Sequence, residues 1–185
     1  MFVTFTENGK PASFPINTAY MLSYLRAGSE DEVMVKRLIA RACAAFTKFT
    51  NGHNAAIATY EVWYDAGEVA TEEPIVLPVR PLQTGVDTAY AYDSSDDETE
   101  LEALGIRGDG RVIIFSDIPS TTRDHRGIKL EVTVGYSDTT IPDDIVLGIE
   151  QYITFLYEQR GSEQVDIPDA VARLWAPYVR HQFGA

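Results

Sequence analysis

Three histidines, one cysteine and one dense run of carboxylates are the side chains of this 185-residue chain whose types could support catalysis or metal binding. A helical zinc pair needs ligands at i and i+4, and His53, His125 and His181 lie too far apart to form one. Each reads as a surface histidine. Asp93, Asp96, Asp97 and Glu98 fall in DSSDDETELE, which invites comparison with a calcium loop. Such a loop needs ligands at alternate positions, a central glycine and a closing glutamate. No glycine lies between Asp93 and Glu102, so the segment reads as a solvated acidic loop. Gly105 to Gly110 (GIRGDG) lacks the lysine of a phosphate-binding loop and the spacing of a dinucleotide turn. The tripeptide Arg107-Gly108-Asp109 has no secretory context to make it an adhesion motif. Cys43 sits in the Ala-rich stretch Ala40 to Ala45. A reactive thiol is one reading; its neighbours favour a small buried hydrophobe on a helix. No serine stands in a nucleophile-elbow context. The expectation is a protein with no catalytic residue, no cofactor and no metal.

Charge narrows the partners. Fifteen basic against 28 acidic residues give a formal net charge of -13. Such a surface repels nucleic-acid phosphates and anionic lipid. The composition, 45% apolar and 11% aromatic, is that of a folded domain. A chain of this length buries roughly 70% of the surface exposed when unfolded, so it needs no staples. One cysteine allows no intrachain disulfide. The first residues, MFVTFTENGKPASF, lack a charged segment followed by an apolar run. No apolar stretch approaches the roughly 20 residues of a membrane span. These features predict a soluble protein made in a cytoplasm.

The elements that position these residues follow from periodicity. Residues 1–17 read as an extended arm of the kind that orders against a neighbouring subunit, broken by Asn8-Gly9-Lys10-Pro11 and Pro15. Asn17 or Thr18 caps a short helix over 19–26. Ser29 and Glu32 form a capping box for a long helix over 30–50, with Val35, Leu38, Ala42, Ala45 and Phe49 as its apolar face. Strands fall within 57–136. Pro74 to Pro81 (PIVLPVRP) is limited by its prolines to an edge or bulged strand. Ile128, Leu130, Val132, Val134 and Tyr136 alternate with Lys129, Glu131 and Thr133, the pattern of a half-buried antiparallel strand. Helices over 142–160 and 168–176 follow, the first carrying Ile145, Ile149, Tyr152, Ile153 and Leu156 inward; 181–185 is a tail. The order predicts an α+β fold: helices at both ends packed together around a central antiparallel β block.

Several stretches then resemble a known family. They are Met21-Leu-Ser-Tyr-Leu-Arg26, the acidic Ser29 to Glu32, the helix ending Phe49-Thr-Asn-Gly52, and Pro74 to Pro81. Further on come Leu130-Glu-Val-Thr-Val-Gly-Tyr136, Ile141-Pro-Asp143, the helix ending Tyr157-Glu-Gln-Arg160, and Ile167-Pro-Asp-Ala-Val-Ala-Arg-Leu-Trp-Ala-Pro-Tyr-Val-Arg180. Over residues 18–180 the chain resembles the head–tail connector (adaptor) proteins of tailed bacteriophages and phage-like particles. The arm and the longer strand block depart from the family's shorter members.

The resemblance implies a virion protein at the head–tail interface, assembled in the host cytoplasm. It implies a homo-oligomeric ring, usually of twelve, that binds the portal protein on one side and a tail or stopper protein on the other. DNA would pass through its centre without specific binding; no membrane is involved. The C-terminal segment would reach the portal through Val171, Leu174, Trp175, Tyr178 and Arg180, or Val171, Leu174 and Trp175 would complete the subunit's own core. Asp93, Asp96, Asp97 and Glu98 would line the lumen or face the tail, or form an outward solvated loop. Two other readings stand beside this one: a different tail-completion or stopper subunit, and a small-ligand binder or enzyme using an aromatic pocket of Tyr60, Trp63, Tyr64, Tyr90 and Tyr92.

Overall fold

The computed structural model describes residues 4–7, 11, 13–69, 74–101, 104–106, 111–114, 117–137, 139–159 and 166–179. The chain divides into two compact units. One is built of strands from residues 1–11 and 58–135; the other is helical, from 12–57 and 136–185. The fold is α+β, and helices from the two ends of the chain pack together in one unit.

The strand unit is organised around its two most regular strands. Strand β1 is Thr4–Glu7, β2 is Ala58–Tyr64, β3 is Pro74–Val76, and β4 is Leu82–Tyr92. Then come β5 (Glu98–Glu100), β6 (Leu104–Ile106), β7 (Arg111–Ile114) and β8 (Ile128–Val134). Five pair antiparallel in the order β1-β2-β8-β4-β5, and three in the order β3-β7-β6. Strict alternation in β2 and β8 sends Tyr60, Val62, Tyr64, Ile128, Leu130, Val132 and Val134 into the core. Their cross-strand register pairs Tyr60 with Val132 and Val62 with Leu130, so apolar side chains stack on one face. Ile75, Leu77 and Val79 join that core. Pro74–Val76 lies at the edge of its sheet, where the missing proline N–H leaves no gap in a ladder.

Thr4–Glu7, within the stretch read as an arm, pairs with β2 of its own chain. The acidic segment also differs from a plain loop. Residues 93–97 turn tightly, and Glu98–Glu100 pairs back on Tyr90–Tyr92 as β5.

The helical unit contains α1 (Thr18–Leu25), α2 (Glu32–Phe49), α3 (Asp143–Glu158) and α4 (Asp169–Trp175). Asn17 caps α1, its Oδ1 accepting the Ala19 N–H at 2.7 Å. The capping box at Ser29 does not form: Ser29–Asp31 makes a turn of 3-10 helix, and α2 begins without a side-chain cap. Asp31 instead accepts the Tyr157 hydroxyl at 2.8 Å, and Glu32 pairs with Lys36 at 2.6 Å. The buried face of α2 is rotated from the one read in the sequence. Val35, Ile39, Ala42, Cys43 and Phe46 are buried, whereas Leu38, Ala45 and Phe49 are only partly so. Ile145, Ile149, Tyr152, Ile153 and Leu156 of α3 are buried, with Gly148.

Candidate functional site

The C-terminal segment is held by a proline and an aromatic anchor. Pro168 precedes α4, Asp169 occupies its first turn, and Ala176–Tyr178 adds a turn of 3-10 helix. Val171 and Trp175 are fully buried in the helical core. The Trp175 ring meets Phe46 edge-on at 5.4 Å, Tyr152 at 5.8 Å and Phe49 at 6.0 Å. Both side chains complete the chain's own helical core. Leu174 and Tyr178 are half-buried and keep surface to offer. Tyr178 leans on Phe46 and His53, each at 6.2 Å. Burial, then the nearby Asp144, raises its hydroxyl pKa. Arg180 lies outside the described residues.

The acidic turn is built from its own carboxylates. Asp93 Oδ1 accepts the N–H of Ser95 at 2.7 Å and of Asp97 at 3.0 Å. Asp96, in the left-handed region at φ 64°, pairs with Arg123, whose guanidinium also lies 5.5 Å from the Tyr92 ring centre. Glu98 accepts the Tyr92 hydroxyl at 3.0 Å. Asp93, Asp96 and Glu98 therefore brace the hairpin.

The aromatic residues read as one pocket fall on two faces of the sheet. Tyr60 and Tyr64 are buried in the core, Tyr64 donating to the Val76 carbonyl at 3.3 Å. Trp63, Tyr90 and Tyr92 take the opposite face, because neighbours on a strand alternate sides. There they surround Lys129, whose Nζ lies 4.9 Å from the Tyr90 ring, 5.7 Å from Tyr92 and 5.9 Å from Trp63. Register explains the cage: Lys129 stands opposite Trp63 on one side and Tyr90 on the other. Glu131 adds an ion pair at 3.2 Å. The cation already fills the ring-lined space, and the five aromatics form no common pocket.

Chemistry is sparse elsewhere. His125 pairs with Asp65 at 3.0 Å, and Asp65 is held below the ordinary carboxylate range first by the Arg126 N–H, then by His125. Burial pushes the Cys43 thiol up to about 12, so it is no nucleophile at neutral pH. Among the described residues no group of three or more His, Cys, Asp or Glu is placed to hold a metal ion. No helix among them is long and apolar enough to cross a membrane. An open cleft of about 430 Å³ in the helical unit is lined by Ala45, Lys48, Phe49, Tyr152, Asp166 and Ile167.

One feature of the helical unit is absent from the reading of the apolar pattern. Opposite its buried stripe, α2 exposes Val33, Arg37, Arg41, Ala44 and Lys48. The outward face of α3 carries Asp143, Leu147, Glu150, Thr154 and Glu158. The spacings of three and four that define these stripes were visible in the sequence.

Comparison with known proteins gives the fold a context. No protein-family model matches the chain, and no curated protein matches it. Solved structures do. A chain in the neck of an empty gene transfer agent (GTA) particle, computed with C6 symmetry, superposes with a TM-score of 0.77 at 19% identity. The match covers 98% of this chain and 98% of that one. The fold is that of a GTA neck chain. A chain of the native GTA virion matches with a TM-score of 0.73 at 20% identity, over 97% of this chain and 98% of that one. A chain of the native GTA neck, computed with C12 symmetry, gives 0.74 at 18% identity and 98% of both. The resemblance read from the residues therefore holds at the level of fold.

Proposed function

We propose that this chain is a structural subunit of a phage-like particle. In this reading it forms a ring, of twelve copies, that joins the portal of the capsid to the tail and lets DNA pass through its centre. The supporting observation is a fold shared end to end with a GTA neck chain, over 98% of both. The net charge of -13 suits a conduit, because walls that bind phosphate hold the strand. Leu174 and Tyr178, the suspected anchors that keep some surface, contact the portal in this reading. The braced acidic turn carries Asp97 toward the lumen or the tail. The subunit assembles in the host cytoplasm and resides in the virion, with a tail or stopper protein below it.

Native mass measurement of the chain purified with the portal protein of its own particle tests the proposal. A discrete closed oligomer bound to the portal is expected. A chain that remains monomeric and ignores the portal would sink it. A ring that binds only tail components, and not the portal, assigns the chain to a stopper or tail-completion position instead.

A further inference from the structure

We infer that the outward faces of α2 and α3 are the two halves of a head-to-tail contact between successive copies of this chain. This rests on the ring proposed above and names the seam that closes it.

The α2 face is basic in an acidic protein. Val33, Arg37, Arg41, Ala44 and Lys48 follow at steps of four, four, three and four, which places them on one side of the helix. Lys36 is neutralised by Glu32. Arg37, Arg41 and Lys48 have no ion-pair partner among the described residues, although the chain carries 28 acidic side chains against 15 basic. Val33 at the start of the stripe is 63% exposed.

The α3 face has the opposite character. Asp143, Leu147, Glu150, Thr154 and Glu158 also follow at steps of four, three, four and four. Asp143 and Glu158 are exposed, and Leu147 is 41% exposed among them. Beside them α1 presents Tyr20, 50% exposed, whose hydroxyl pKa is raised by the nearby Glu150 carboxylate. Tyr24 lies 6.0 Å from the Tyr20 ring and is 48% exposed. Exposed tyrosines beside a carboxylate suit an arginine of a neighbouring chain.

The two faces match in length and in order. Each stripe spans about 22 Å at 1.5 Å per residue. Laid antiparallel, one register sets Lys48 against Asp143, Ala44 against Leu147 and Arg41 against Glu150. A small side chain then receives the exposed leucine while opposite charges meet on both sides of it. Within one chain the two helices turn their buried stripes into a common core, so the outward stripes face away from each other. Two different complementary patches on one molecule generate a heterologous contact, which closes into a ring when the rotation permits.

The test is a charge exchange in the full chain assembled with its portal. Arg41→Glu and Glu150→Arg, each alone, are expected to abolish the ring by native mass measurement. The double variant is expected to restore it. In parallel, Ala44→Cys with Leu147→Cys, oxidised, should give a ladder of covalent multimers, while Cys43 stays buried and unreactive. Circular dichroism identical to wild type shows that each variant folds. If that signal is lost in a charge variant, the cysteine ladder decides. A wild-type ring that tolerates both single exchanges and yields no ladder overturns the seam and leaves the ring reading intact. Single variants that keep the ring but release bound DNA assign the basic stripe to nucleic acid and also overturn it. A wild-type chain that never forms a ring overturns the ring reading and the seam together.

Discussion

Gly148 of α3 lies so close to the Trp175 indole that a Cβ on residue 148 would overlap Nε1. No side-chain atom fits there, so the absence of one lets α4 seat its tryptophan among Phe46, Phe49 and Tyr152. Gly148→Ala is expected to destabilise the helical unit by about 1–3 kcal/mol through overpacking. Trp175→Ala is expected to cost about 3–5 kcal/mol through the cavity it leaves. In the Trp175→Ala background the Gly148 substitution should turn neutral or stabilising by up to about 1 kcal/mol, since only helix propensity remains. Urea unfolding of the four proteins measures this cycle. Additive effects would contradict the contact.

The Cys43 thiol offers a readout of the same core. It is 3% exposed, and burial raises its pKa to about 12. At pH 8 in native buffer an excess of thiol reagent should label it only through opening of the helical unit. Labelling should complete within seconds in denaturing urea. Fast native labelling would show that α2 does not pack as described.

Lys129 predicts a dependence on alkaline pH. Burial opposes its ammonium charge, but the hydrogen bonds to Tyr92 and Glu131 prevail and its pKa is raised. A pKa raised in the folded state means that the bound proton favours folding. That contribution is complete below the unfolded value of about 10.4 and is lost as pH climbs through the folded value. Tyr92, Tyr136 and Tyr178, raised chiefly by burial, act in the same direction above about pH 10. The urea midpoint should therefore hold steady from neutral pH to about 9.5 and fall above it. Lys129→Met should shallow that fall. An unchanged slope in the variant would show that the cage does not hold the charge.

The acidic turn separates structural carboxylates from spare ones. Asp93→Ala removes the acceptor for two backbone N–H groups and should cost about 1 kcal/mol. Asp96→Asn, at an exposed ion pair, should cost less than about 1 kcal/mol. Asp97→Asn should leave stability unchanged. Thermal melts rank the three. An order with Asp97 first would reject the bracing scheme.

How much of this was legible beforehand varies with the range of the interaction. Strand β8 could be read over Ile128–Val134, because its alternation is strict and one face is wholly apolar; Tyr136, read on that same face, lies past the strand's end and packs in the helical core. In α2 the stretch VMVKRLIARACAAF offers two apolar phases of similar quality, and alanines blur the contrast between them. Packing chose Ile39 and Phe46 over Leu38 and Phe49. The capping box does not form because Ser29–Asp31 winds as a 3-10 turn and the Glu32 carboxylate turns forward to Lys36. The Lys129 cage required the register of three strands, which no local pattern contains. The division of Tyr60 and Tyr64 from Trp63, by contrast, follows from the two-residue period alone. At the C-terminus it was the family resemblance, not a local pattern, that singled out Val171, Leu174 and Trp175. The inward seat of Trp175 needs the bare backbone of Gly148, a contact between two helices that no local pattern contains.

The proposed ring of this chain between portal and tail is open to direct imaging. Electron cryomicroscopy of the particle neck, or of the chain assembled on its portal, tests it most directly. A closed ring of this chain, coaxial with the portal and open along its axis, is expected. Density showing the chain absent from the neck, or present there as isolated copies without a ring, would contradict it.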